Sequence, residues 1–129
     1  MSSAPVFDAI VVGTGQAGPS LAARLSAAGW RVAVVEENRF GGTCVNNGCT
    51  PTKAMIASAY AARTAARAVD YGVVLDTGPR VDMKRVKARK DEIVGNSSRS
   101  IEQWMAGLKG VTVYPGHARF VGRTELAVG

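Results

Sequence analysis

Short apolar runs, glycine turns and amphipathic stretches alternate along the first third of the chain. Phe7 to Val12 reads as a buried strand centred on Ile10, Val11 and Val12, with Asp8 interrupting it near the start. Gly13 to Gly18 forms a turn, and Pro19 suits the first turn of a helix, where its missing N–H costs nothing. Leu21, Ala22, Leu25 and Ala28 give that helix an apolar face, and Gly29 stops it. Arg31 to Val35 is a second strand rich in β-branched residues. Strand, glycine turn, helix and strand in this order predict a βαβ unit with two neighbouring parallel strands and a right-handed crossover.

Asn38 to Gly42 is a turn-rich connection. The pattern then predicts a long helix from Cys44 to about Ala68, irregular at first because Gly48 and Pro51 disturb it, and alanine-rich from Lys53 onward. Val73 to Leu75 reads as a short edge strand. A second long helix runs from about Met83 to Gly107. Its apolar side carries Met83, Val86, Ile93, Val94, Ile101, Trp104, Met105 and Leu108, and Asn96-Ser97-Ser98 is a weak spot. Three short strands follow, Val111 to Tyr114, His117 to Val121 and Glu125 to Val128, punctuated by Gly116 and Gly122. They predict a β-meander. There is no internal repeat, low-complexity tract or interdomain linker, so residues 1–129 read as one α/β unit.

The composition narrows the class. At 129 residues and 47% apolar content, the chain suits one ordinary α/β core. No apolar run approaches the ~20 residues of a membrane span. The start lacks a basic region, and Asp8 breaks its first apolar stretch, so it does not resemble a signal peptide. Cytoplasm is the expected compartment, with no membrane partner. The net charge of +6 raises the question of nucleic acid. Much of the excess is Lys84, Arg85, Lys87, Arg89 and Lys90, on a helix that also holds Asp82, Asp91 and Glu92. No aromatic is interleaved to stack on bases, so a solvated helix face is expected and a nucleic-acid partner is not.

Gly13-Thr14-Gly15-Gln16-Ala17-Gly18 has the spacing of a dinucleotide fingerprint, with the strand before it and the helix after it that such a turn requires. Gly13 permits the tight turn, Gly15 lets backbone N–H groups approach a pyrophosphate, and Gly18 lets the helix pack on the sheet. The helix N-terminus favours the phosphate charge. Glu36, at the end of the second strand, can accept hydrogen bonds from ribose hydroxyls and would repel a 2′-phosphate. Glu37 is a plausible substitute. The fingerprint by itself does not separate FAD from NAD.

Cys44 and Cys49 are the only cysteines. In a regular helix, positions five apart point in different directions, whereas a disulfide needs Cα atoms within roughly 7 Å. The neighbouring glycines and Pro51 could distort the backbone enough. A helix N-terminus and the nearby Lys53 would both favour a thiolate. Three readings stand: two unrelated thiols, part of a metal site, or a redox pair. Two thiolates are too few for structural zinc, and His117 is the one histidine.

The run Gly41-Gly42-Thr43-Cys44-Val45-Asn46-Asn47-Gly48-Cys49-Thr50-Pro51-Thr52-Lys53 resembles the active-site pattern of the pyridine nucleotide–disulfide oxidoreductases, G-G-T-C-[VL]-N-x-G-C-x-P-[ST]-K, at every position. The Gly13–Gly18 turn and Glu36 resemble that family's FAD-binding start. Gly116-His117-Ala118-Arg119-Phe120 resembles its G-x-A-x-F strand, whose backbone lies by the adenine. The resemblance covers essentially the whole chain.

It implies a Rossmann-type FAD-binding domain, here incomplete. FAD would be held by Gly13, Gly15, Gly18, Glu36, Gly42, Thr43, Cys44, Lys53 and Ala118. Cys44 and Cys49 would be the catalytic redox disulfide, with Cys49 against the flavin and Cys44 meeting substrate. Electrons would pass from NAD(P)H through FAD to that disulfide and on to a small-molecule or metal-ion substrate. The family's NAD(P) and dimerisation domains, with the catalytic histidine and glutamate, have no match here. His117 is not that histidine. The chain is therefore expected to be an N-terminal part of a longer, homodimeric protein, inactive by itself. Thr50, Thr52 and Met55 to Ala59 look most like mercuric reductases, with dihydrolipoamide dehydrogenase as the second expectation. A non-catalytic FAD-binding module is the alternative from another class.

Overall fold

The computed structural model describes residues 4–129. Strand β1 (Ala9–Val12) leads through the glycine turn into helix α1 (Gly18–Ala27) and strand β2 (Val32–Glu36). Two helices follow, α2 (Gly42–Asn46) and α3 (Cys49–Ala66), then a 3-10 turn at Ala68–Tyr71. Helix α4 (Met83–Gly107) precedes strands β3 (Val111–Pro115), β4 (Ala118–Phe120) and β5 (Leu126–Val128). The expected βαβ unit is present. β1 and β2 pair in parallel with Val11 opposite Val34, and β3 joins on the far side of β2 with Val34 opposite Val113, giving the order β1-β2-β3. Asp8, the polar break in the first run, accepts the Arg31 N–H at 2.7 Å and closes the sheet's lower end.

Alternation along the strands divides the sheet into two faces. Val11, Val32, Val34, Val111 and Val113 point toward α1 and α4, where Ala22, Leu25, Ile101 and Met105 complete the core with Phe40. Met105 and the central valines Val32 and Val34 are fully buried. Ile10, Ala33, Val35 and Tyr114 lie on the other face. There they border a cavity of about 490 Å³ beneath the β4–β5 hairpin. α4 stays regular through Asn96-Ser97-Ser98, and the Ser97 hydroxyl donates to the Ile93 carbonyl at 2.9 Å. Asp82 caps its N-terminus by accepting from the Lys84 and Arg85 N–H groups. Arg89 donates to the Ala54 carbonyl at 3.0 Å and ties α4 to α3.

Three expectations change. Val73 to Leu75 is not a strand: the segment is irregular and its side chains are exposed. Among the described residues no strand pairs with it, and propensity alone forms no sheet. The expected three-stranded meander divides between two sheets. β3 is drawn into the parallel sheet against β2, and only β4 and β5 pair antiparallel, with Arg119 opposite Ala127. The long helix from Cys44 is two helices, α2 and α3, broken at Asn47 and Gly48.

Candidate functional site

The site lies at the carboxyl ends of β1 and β2, where an open parallel sheet places its ligands. Gly13 turns the chain out of β1 at φ +89°. A side chain at Gly18 would sit 2.2 Å from the Gly13 carbonyl oxygen, so only glycine lets α1 start this close to the turn. Around Gly15 the space is open: a Cβ there would meet nothing within 4 Å. No side chain caps the N-terminus of α1. Bare helix N–H groups beside an open glycine make a cradle that fits a pyrophosphate.

Glu36 ends β2 and organises the turn. One carboxylate oxygen accepts from the Thr14 N–H at 2.9 Å and the Thr14 hydroxyl at 2.6 Å, and the other accepts from the Asn38 N–H at 2.9 Å. Burial pushes its carboxyl up, but the bonds from Thr14, Asn38 and the Glu37 N–H outweigh this and hold it below its ordinary 4.5. Glu36 is thus a prepared anion with lone pairs left for ribose hydroxyls. Glu37 instead pairs with His117, Nδ1 to Oε2 at 2.6 Å, on the surface. That pair, with the Gly116 N–H donating to the Glu36 carbonyl at 2.9 Å, brings Ala118 to the Glu36 end of the sheet.

The cysteine segment docks on the same cradle. Gly41 donates to the Thr14 carbonyl at 3.0 Å and to its hydroxyl at 3.2 Å. A Cβ at Gly42 would lie 2.8 Å from the Gly15 Cα, so the start of α2 rests directly on the fingerprint. A cavity of about 470 Å³ opens there, lined by Glu36, Asn38, Arg39, Gly42, Thr43 and Asn46 among others. Asn46 fixes this arrangement: its amide donates to the Phe40 and Gly42 carbonyls at 3.0 and 2.9 Å. Thr14, fully buried, and Asn46 carry structural work that sequence reasoning missed. The available signal was a polar residue inside each glycine-rich motif, where a buried hydroxyl or amide must find partners.

Cys44 and Cys49 form a disulfide with Cα atoms 4.8 Å apart. The helix break explains how residues five apart meet. Gly48 takes φ −121° and ψ −107°, and a Cβ there would press on the Thr43 carbonyl at 3.1 Å and the Cys44 Cα at 3.3 Å. Cys49 then opens α3 at its N-terminus, exposed, while Cys44 is half-buried. Lys53 follows one turn along α3 and is exposed. Fingerprint, acid and disulfide, separate in the sequence, therefore share one surface. A disulfide beside a dinucleotide cradle can take up two electrons as a dithiol.

The sequence profile of the pyridine nucleotide-disulphide oxidoreductases matches residues 7–128. The chain belongs to this family. Its members use FAD and NAD(P)H. A dihydrolipoyl dehydrogenase of Halobacterium salinarum is 37% identical over 121 residues, covering 94% of this chain and 25% of that protein. A dihydrolipoyl dehydrogenase of Chlamydia muridarum is 34% identical over 125 residues, covering 95% and 26%. The solved copper(II) complex of the HOCl-induced flavoprotein disulfide reductase RclA from Escherichia coli superposes with a TM-score of 0.80 at 30% identity, covering 98% of this chain and 25% of that one. The chain thus spans about a quarter of the length of these relatives. Among the described residues no helix is long and apolar enough to cross a membrane.

Proposed function

We propose that this chain supplies the FAD cradle and the redox disulfide of a flavin-dependent disulfide reductase. The observation that carries the reading is the contact of the two motifs, Gly42 against Gly15, which sets the Cys44–Cys49 segment on the dinucleotide turn. FAD would be held by the Gly13–Gly18 turn and N-terminus of α1, by Glu36 at a ribose, and by Gly42, Thr43, Cys44, Lys53 and the backbone at Ala118. Bound there, it would supply the relay for the hydride of NAD(P)H, two electrons and a proton, which with one further proton converts the disulfide to a dithiol. The start of α3 would then hold Cys49 as a thiolate, and Cys44 would exchange with substrate. The nicotinamide site would lie in parts of the relatives outside the matched quarter. The protein would act in the cytoplasm as a homodimer, without nucleic acid or membrane.

The named relatives support a disulfide or dithiol substrate. A mercuric ion is the second reading, resting on Thr50, Thr52 and Met55 to Ala59. The test is a titration of the FAD-loaded protein with dithiothreitol, followed by absorbance and thiol count. Wild type should expose two thiols and develop a long-wavelength thiolate-to-flavin band. Cys49→Ser should lose the band, and Cys44→Ser should retain it. A band that survives Cys49→Ser would overturn the reading.

A further inference from the structure

A further cavity, of about 610 Å³, adjoins the one at Glu36 and shares Arg39, Asn46 and Asn47 with it. Two of the four residues between the cysteines, Asn46 and Asn47, form one wall. The opposite wall is the middle of α4, which contributes Lys87, Lys90 and Arg99, and Arg39 closes one end. Asp91 is the one acid in the lining. It bonds to Lys87 at 2.5 Å and also to Lys90. Four cations against one anion leave a clear positive excess. Lys90 keeps only 24% of its side chain exposed with its ammonium on Asp91, whereas Lys87 is 72% exposed. Arg99 lies over Gly95, where a Cβ would stand 3.3 Å from its guanidinium, and donates to the Asn96 side-chain carbonyl on its own helix at 2.5 Å.

We propose that this cavity is a specificity site that anchors the anionic end of a disulfide substrate beside the Cys44–Cys49 pair. The proposal rests on the redox reading above and narrows its substrate to a disulfide carrying carboxylate or similar anionic groups. Two of the basic residues expected on a solvated face, Lys87 and Lys90, are thereby given a use, and Arg99 lines the cavity with them. Paired residues Lys87, Lys90 and Asp91 hold the wall's geometry, while the net charge remains positive.

The exchange it serves balances without further reagents once the pair is reduced. The Cys44 thiolate attacks one sulfur of the substrate RS–SR, forming Cys44–S–SR and releasing RS⁻. The Cys49 thiolate then attacks the Cys44 sulfur, releases the second RS⁻ and restores the Cys44–Cys49 bond. The dithiol loses two electrons and its two protons, and the substrate gains both.

The test needs neither flavin nor nicotinamide. The chain is reduced with dithiothreitol, freed of it by gel filtration, and mixed with three disulfides: dithiobis-nitrobenzoate, a dianion; dithiodipyridine, neutral; and cystamine, a dication. The ratio of anionic to neutral rate is taken within each protein, which cancels differences in folded fraction and thiol reactivity. Lys87→Gln/Arg99→Gln should lower that ratio about tenfold, and cystamine should gain relative to the neutral disulfide. Lys84→Gln/Arg123→Gln removes the same charge outside the cavity and should leave the ratio near wild type. Added salt should shrink the wild-type preference. An equal fall in both double variants would mean the overall charge is responsible and would overturn the site. Failure of reduced wild type to react even with dithiodipyridine would instead overturn the redox reading.

Discussion

Single residues set the chemistry of this surface. Glu36 is held as an anion by Thr14 and Asn38, and its carboxyl lies below the ordinary 4.5. A carboxyl depressed on folding adds stability above its unfolded value and loses it as pH falls through the folded one. Glu36→Gln should therefore lower the melting temperature at neutral pH, and the gap to wild type should close below about pH 4.5, because the unfolded carboxyl takes up its proton there. Melting curves from neutral to acid pH check this. A gap that stays constant would show that the hydrogen bonds carry no charge dependence. Glycines divide by what surrounds them. Gly15 faces open space and Gly18 faces a carbonyl. Gly15→Val should keep the fold but abolish FAD retention, whereas Gly18→Ala should destabilise the fold itself. Thermal melting and flavin fluorescence, measured together, separate the two outcomes.

At the scale of elements, the break between α2 and α3 is the decisive feature. An unbroken helix would splay Cys44 and Cys49, but the backbone at Gly48 folds one helix start against the other. Gly48→Val should crowd Thr43 and Cys44 and weaken the disulfide. In a glutathione redox buffer, its midpoint should shift toward the reduced form relative to wild type. An unchanged midpoint would show that the loop closes without the glycine. The same break puts Cys49 at a helix N-terminus, where a thiolate is favoured, so one backbone feature both forms the bond and prepares its reduced form.

For the molecule as a whole, the two faces of the sheet differ. One is packed by α1 and α4. The other leaves Val12 58% exposed, and on the hairpin Phe120 is 74% exposed. Apolar surface of this kind favours association. The chain expressed by itself should bind a hydrophobic dye and sediment faster as its concentration rises. Val12→Lys/Phe120→Lys should reduce both effects. A wild-type chain that stays monomeric and binds no dye would show that these side chains are too scattered to act as a patch.

The local order of the chain was legible from its residues. The βαβ unit, α1, α4 and the fingerprint followed from periodicity and glycine placement, because each depends on neighbours a few positions away. The run from Gly41 to Lys53 carried the family by itself. What the residues alone left open was decided by contacts distant in sequence. β3 joined the parallel sheet because the exposed edge of β2 offered it hydrogen bonds, so the expected meander lost its first strand. Val73 to Leu75 found no such edge and stayed irregular. Thr14 gained its role only when Glu36 and Gly41 arrived from 22 and 27 positions away. The basic residues of α4 look like a solvated face until the α2 loop supplies the opposing wall. Spacing along the chain specifies backbone conformation, but a partner across space decides which polar groups are satisfied and which charges are gathered.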